Sequence, residues 1–278
     1  MGNVIEVSRI SKSYGLISRK SILKDISFHI EQGECICIMG ANGQGKSTLI
    51  KILAGLLARD RGEIKIAGRL GYMPETSINF PSLNIYQTME YYGLISGYGK
   101  DYEQLIDRFS LAEKRKIVKK FSKGMKRKLD LIRALNLKPD LLLLDEPFEG
   151  LDPGVCNDMI SVIAEEKARG SAILMSSHDM SYVEKIADRV FILKNGHLSQ
   201  IDEWQRETTV LTVSGDLKII EGIIERFKCK IGKDGEYLKI KVVGKEETIS
   251  VIQTLAKNGV NIIKQEVVSL EDIFLQET

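Results

Sequence analysis

Gly40-Ala41-Asn42-Gly43-Gln44-Gly45-Lys46-Ser47-Thr48 has the spacing G-x-x-x-x-G-K-[S/T]. Glycines at these positions let a backbone curl until its N–H groups face one point, and a helix opening at Lys46 adds its positive N-terminus. The lysine supplies a full charge for β- and γ-phosphates, and the serine a hydroxyl ligand for Mg²⁺. Asn42, Gly43, Gly45, Lys46, Ser47 and Thr48 are therefore candidate phosphate-binding residues, with Ser47 also a metal ligand. About a hundred residues on, Leu141-Leu142-Leu143-Leu144 runs into Asp145-Glu146-Pro147. A buried strand should not end in two carboxylates without a reason, because burying charge is expensive. Phosphate chemistry provides one: Asp145 holds Mg²⁺ through water, and Glu146 orients or deprotonates an attacking water. His178 follows a third apolar run, Ala172 to Met175, and two serines. From there an imidazole reaches a γ-phosphate and senses its loss.

These residues need a frame. Short, wholly apolar runs at Ile36–Met39, Leu141–Leu144 and Ala172–Met175 alternate with helical patterns at Lys46–Leu57, after Pro153 and after His178. That alternation is what a parallel sheet covered on both faces requires. Val4–Ser8 and Ile26–Ile30 instead alternate apolar and polar residues, which predicts half-exposed antiparallel strands. Asn195-Gly196 predicts a hairpin turn. Between the sheet strands, about Asn84 to Asn136 reads as an inserted helical subdomain without a strand. After about Glu207 the pattern becomes β-α-β-β-α-β, the order of a ferredoxin-like module. The expected organisation is thus an α/β phosphate-loop domain over 1–206, with an antiparallel β subdomain and a helical subdomain over about 84–136. A small α+β module follows over 207–278.

Composition closes off other classes. The chain has 278 residues, 43% hydrophobic and 28% charged, and a formal charge of +2. Those are globular values with length for a real core. The near-neutral balance speaks against bulk nucleic-acid binding. No apolar run approaches the roughly 18–20 residues that span a bilayer, and Met1 to Arg9 lacks a signal-peptide core. Cys35, Cys37, Cys156 and Cys229 complete no zinc pattern and read as apolar core residues of a reducing cytoplasm. Between Lys114 and Lys128 nine residues are Lys or Arg. The run reads as a solvated helix face, or alternatively as an attraction to anionic lipid headgroups.

The order of these motifs resembles the ATP-binding-cassette (ABC) ATPases, over residues 1 to about 206. Three further matches carry the resemblance. Tyr14 stands about thirty residues before Lys46, where the family stacks an aromatic on adenine. Phe121-Ser122-Lys123-Gly124-Met125 holds the place of the family signature, usually Leu-Ser-Gly-Gly-Gln. Leu151-Asp152 follows the acidic pair, where the family has its D-loop. The sequence departs from the family at Lys123 and Met125, at Ala41 for the usual proline, and at Glu75 for the usual glutamine. Glutamate keeps the oxygen reach toward Mg²⁺ and adds a charge. The tail ending in Ser269-Leu-Glu-Asp-Ile-Phe-Leu looks like that of bacterial export-type ABC ATPases.

The resemblance implies an ATPase using ATP and Mg²⁺ and driving a separate transmembrane permease from the cytoplasmic face of the membrane. It implies two cassette chains meeting head to tail, with Ser122 and Gly124 of one chain on the nucleotide of the other, and a homodimer as the simplest pairing. Nucleic acid is not among the expected partners. Thr76–Tyr98 is expected to form the permease groove, with Phe80, Leu83, Ile85 and Tyr86 as candidates. Two other readings stay open here: a soluble ABC ATPase outside transport, and a nucleotide-dependent regulatory switch.

Overall fold

A computed structural model of the chain describes residues 2–15, 20–96, 102–111, 115–201, 208–227, 229–235 and 237–268. They fall into two compact units, 1–200 and 201–278.

The first unit is built on a six-stranded sheet ordered β5-β6-β7-β3-β8-β9. Its members are β3 (Cys35–Met39), β5 (Leu70–Met73), β6 (Leu141–Leu144), β7 (Ala172–Ser176), β8 (Arg189–Lys194) and β9 (His197–Ile201). The strands from β5 to β8 pair in parallel. Every residue of β3, β6 and β7 is buried, because helices and a second sheet cover both faces. Each fully buried leucine of β6 contributes about 1.5–3 kcal/mol relative to exposure. β8 turns into β9 at Asn195 and Gly196, both at positive φ (53° and 84°), the conformation a type I′ turn requires.

β1 (Asn3–Tyr14), β2 (Lys20–Glu31) and β4 (Arg61–Ile66) form an antiparallel sheet ordered β2-β1-β4. β1 and β2 extend well beyond the predicted segments; burial alternates over 5–8 and 26–31 and breaks where the pairing register shifts around Ile10. α1 (Lys46–Leu53) is shorter than the predicted Lys46–Leu57. Gly55 N donates to Ile52 O at 3.1 Å and Leu56 N to Lys51 O at 2.9 Å, the paired bonds that close a helix at a glycine.

The helical insertion contains α2 (Ile85–Ser96), α3 (Tyr102–Arg108), a 3-10 turn (Val118–Lys120) and α4 (Lys123–Leu135). An isolated bridge between Asn84 and Ile117 is the sole β-type pairing outside named strands among the described residues. α5 (Pro153–Ala168) and the single-turn α6 (Met180–Val183) return the chain to the sheet. No helix among the described residues is long and apolar enough to cross a membrane.

The second unit runs β10 (Thr208–Ser214), α7 (Leu217–Phe227), β11 (Lys230–Asp234), β12 (Tyr237–Val243), α8 (Lys245–Lys257) and β13 (Asn261–Val268). All pairings are antiparallel, in the order β11-β12-β10-β13. Leu211, Val213, Leu238 and Ile240 pack against Ile220, Ile224, Val251 and Leu255 of the two helices. The predicted tail segment from Ser269 and the expected boundary between 206 and 207 lie outside the described residues.

Candidate functional site

Three neighbouring parallel strands, β3, β7 and β6, end at the same edge of the sheet and carry the loop, Ser176 and the carboxylate pair. Parallel strands present their carboxyl ends together, so distant stretches of sequence meet there. Gly45 caps α1 at φ 109°. A Cβ on it would lie 2.7 Å from the Ile22 side chain, so both conformation and space demand glycine.

Lys46 is buried, at 6% exposure. Its ammonium donates to Gly40 O at 2.7 Å and stands 3.3 Å from Glu146 Oε1. Ser47 Oγ donates to Asp145 Oδ1 at 3.0 Å and lies 3.5 Å from Glu75 Oε2. The Glu146 carboxylate lies 3.0 Å from His178 Nδ1 on its other oxygen. Lys46, Ser47, Glu75, Asp145, Glu146 and His178 thus form one contiguous cluster. Asn42 and Gly43 sit exposed at the loop crest and Thr48 is half-buried on α1.

Burial pushes the Asp145 carboxyl up, while hydrogen bonds from Ser176 and Ser47 pull it back. Its Oδ2 is buried without a hydrogen-bond partner. An orphaned carboxylate oxygen beside a serine hydroxyl is the donor set of a hard divalent cation. Among the described residues no three His, Cys, Asp or Glu side chains cluster with metal-site geometry. The donors present fit an ion held by one or two carboxylates and a hydroxyl, with phosphate oxygens and water completing its shell.

A pocket of about 90 Å³ opens beside Glu146 and His178, with Glu149, Ser177 and Asp179 on its walls. It has room for water next to the carboxylate. A larger cavity of about 770 Å³ lies at the opposite, amino-terminal ends of β6 and β7. There Arg108 meets Glu165 at 2.7 Å and Arg69 meets Asp140 at 3.6 Å. That cavity is remote from the cluster and its walls pair their own charges.

Ser122, Gly124, Asp152 and Tyr14 stand outside the cluster. Ser122 caps α4, accepting from Met125 N at 3.2 Å, and Asp152 caps α5, accepting from Val155 N at 3.0 Å. Gly124 is buried against Val155. Tyr14 is 45% exposed at the end of β1, with the Lys12 ammonium 5.6 Å from its ring centre.

Sequence reading missed two residues. Ser176 Oγ donates to Asp145 Oδ1 at 2.8 Å and accepts from Glu146 N at 2.9 Å. Arg127, read as part of a solvated basic face, is 3% exposed, and its neighbour Lys128 is 9% exposed. Lys128 reaches Asp158 Oδ2 at 2.7 Å. The expectation of a solvated face is therefore wrong for these two; the i, i+3 spacing of Arg127, Asp130 and Arg133 was the available signal. Ile85, predicted in a groove, is fully buried, whereas Ile78, Tyr91, Leu94 and Ile95 are exposed. Phe80 is half-buried and packs edge-on to Tyr91 at 4.7 Å.

Comparison with known proteins bears on the fold and the family. Residues 23–149 match the ABC transporter family model. An uncharacterised ABC transporter ATP-binding protein of Methanocaldococcus jannaschii is 29% identical, with 98% of each chain covered. The linearmycin resistance ATP-binding protein of Bacillus subtilis is 32% identical over 71% of this chain and 68% of its own. A solved structure of the ATP-binding subunit of an ABC transporter superposes with a TM-score of 0.65 at 31% identity, covering 73% of this chain and 92% of the other. A phosphate loop facing an acidic strand end, in a chain so widely matched, places this protein in the family of ABC transporter ATP-binding proteins.

Proposed function

We propose that this chain hydrolyses ATP to power a separate transmembrane permease, working as an exporter from the cytoplasmic face of the membrane. One observation carries the proposal: Lys46, Ser47, Asp145, Glu146 and His178 converge at adjacent strand ends, with Ser47 on Asp145 at 3.0 Å and Lys46 and His178 on Glu146 at 3.3 and 3.0 Å. Lys46 binds the β- and γ-phosphates, and Asn42, Gly43, Gly45 and Thr48 bound the loop around them. Ser47 and Asp145, with Glu75 alongside, would hold Mg²⁺. When bound, the ion neutralises phosphate charge and polarises the γ-phosphoryl group.

Lys46 contacts Glu146 across the cluster, and bound phosphates compete for the same ammonium. Their arrival frees Glu146 Oε1 toward the pocket water, from which it takes a proton. His178 orients that carboxylate and reaches for the γ-phosphate. Ser122 and Gly124 of a second copy, with Asp152 nearby, close the site in a head-to-tail homodimer, and Tyr14 stacks on the base. Hydrolysis removes the contact that favours closure, and the dimer opens. The exposed apolar side chains of α2 and the preceding loop, Ile78, Tyr91, Leu94 and Ile95, are a surface for the permease. A tail resembling export-type cassettes and a relative named for linearmycin resistance support outward transport.

The test uses the chain with Glu146→Gln, ATP and Mg²⁺. Retained nucleotide, lost turnover, a stable dimer by light scattering and a polytopic membrane protein co-purified from detergent-solubilised membranes are the expected results. Unchanged turnover defeats the role given to Glu146. Recovery of soluble partners or ribosomes alone defeats the transport assignment.

A further inference from the structure

β5 and β6 pair as far as Met73 and Leu144, and one more backbone bond follows, from Asp145 N to Met73 O at 2.9 Å. Beyond it the strands carry Glu75 and Glu146, and Pro74 brings no N–H to prolong the ladder. Arg127 reaches from α4 into this gap. Its Nη1 donates to the carbonyls of Pro74 and Glu75, the latter at 2.9 Å. Its Nη2 donates to the carbonyls of Asp145 at 3.3 Å and Glu146 at 3.0 Å. One guanidinium therefore ties the main chain of both strand ends.

The need is physical. Glu146 has φ 45°, a left-handed conformation in a residue that is not glycine. Such backbone persists only where its surroundings over-determine it. Ser176 holds the N–H of Glu146 at 2.9 Å, and Arg127 holds its carbonyl. Behind Arg127, Asp130 lies 3.9 Å away, fully buried, and accepts from Asn79 at 2.7 Å. Arg133 stands 3.8 Å from Asp130 and donates to Tyr92 Oη at 3.1 Å. Charges at 127, 130 and 133 share one face of α4 and join the strand ends to the loop after Glu75 and to α2.

We propose that Arg127 is the positioning residue that holds the peptides of Glu75 and Glu146 in one frame, setting the distance between the metal-side carboxylate and the water-activating one. The proposal rests on the reading of Glu146 as the group that activates water. Lysine cannot substitute fully, because a compact ammonium lacks the planar fork that spans two strand ends.

The experiment compares Arg127→Lys and Arg127→Gln in the full chain, measuring steady-state ATP hydrolysis, ATP binding, and amide hydrogen exchange over 73–76 and 144–149. We expect kcat to fall about tenfold in Lys and further in Gln, with ATP KM and affinity moving less than about threefold. Exchange should quicken in both segments and stay unchanged in the second unit. A Gln variant within about twofold of wild-type kcat overturns the proposal, as does an affinity loss equal to the rate loss. Failure of both variants to fold also overturns it, since Arg127 would then be a fold residue alone. If the wild-type chain does not hydrolyse ATP, the hydrolytic reading falls separately. Exchange then decides the positioning role, and unaltered exchange rejects it.

Discussion

The two units solve burial differently. In the second, every buried polar residue among those described is a threonine: Thr208, Thr209, Thr212 and Thr248. In the first, Lys46, Arg127, Lys128, Asp130, Arg133, Asp145, Glu146 and Glu166 are all buried. Most of these charges surround the carboxyl ends of β5 and β6. Removing charge from water costs several kcal/mol per ion even after relaxation. An α+β layer with an apolar interior achieves a stable fold without that cost, so under the proposed function the concentration around β5 and β6 serves chemistry rather than folding.

The sharpest way to break the contrast is Glu146→Gln, which should slow hydrolysis by about 10²–10⁴-fold while nucleotide still binds. Turnover and equilibrium binding measured on one preparation decide it, and an equal loss of both would mean the charge serves folding. Lys46→Ala should next weaken ATP binding by about a hundredfold, read by nucleotide titration, because one charge-assisted contact to phosphate is worth up to about 3 kcal/mol.

In the second unit, Ile240→Ala should destabilise by about 2–5 kcal/mol through cavity formation. The effect should be confined to that unit's own unfolding transition, with ATP binding untouched. Coupled loss of binding would dissolve the distinction. Ser176→Ala strands the Glu146 N–H and should lower the first unit's stability by about 1–3 kcal/mol, measured by denaturant titration.

The smallest expected effect concerns pH. Burial pushes the Asp130 carboxyl up from its ordinary value, against the pull of Arg133, Ser77, Asn79 and Arg127. A raised folded-state pKa means the native chain binds its proton at higher pH than the unfolded chain. The penalty is in force above the folded value and is relieved as pH falls through it. Asp130→Asn should remove that component from the pH dependence of the unfolding midpoint, and an identical profile would contradict it.

Much of the site was legible because its chemistry is local in sequence. Gly40 to Thr48 is one unbroken stretch of loop and helix start, and Asp145-Glu146 ends one strand. Arg127 was only faintly legible, through its i, i+3 spacing with Asp130, because a basic run otherwise looks the same whether its members face water or carbonyls. Ser176 was hidden because a serine at a strand end has many uses, and its two bonds reach residues about thirty positions upstream. Ile85 looked like a surface apolar residue, yet its helix turns it inward, while Leu94 and Ile95 farther along the same helix face out.

By itself, the sequence determined the loop, the acidic pair, the alternation of buried strands with helices and the β-α-β-β-α-β tail. Each depends on spacing, periodicity or backbone preference within a few residues. The tertiary structure alone decided that Lys46 meets Glu146, that Ser176 bridges Asp145 and Glu146, and that Arg127 joins two strand ends. The first two arise from strand order in the sheet, which places residues far apart in the chain at one edge, and the third from the packing of α4 against β5.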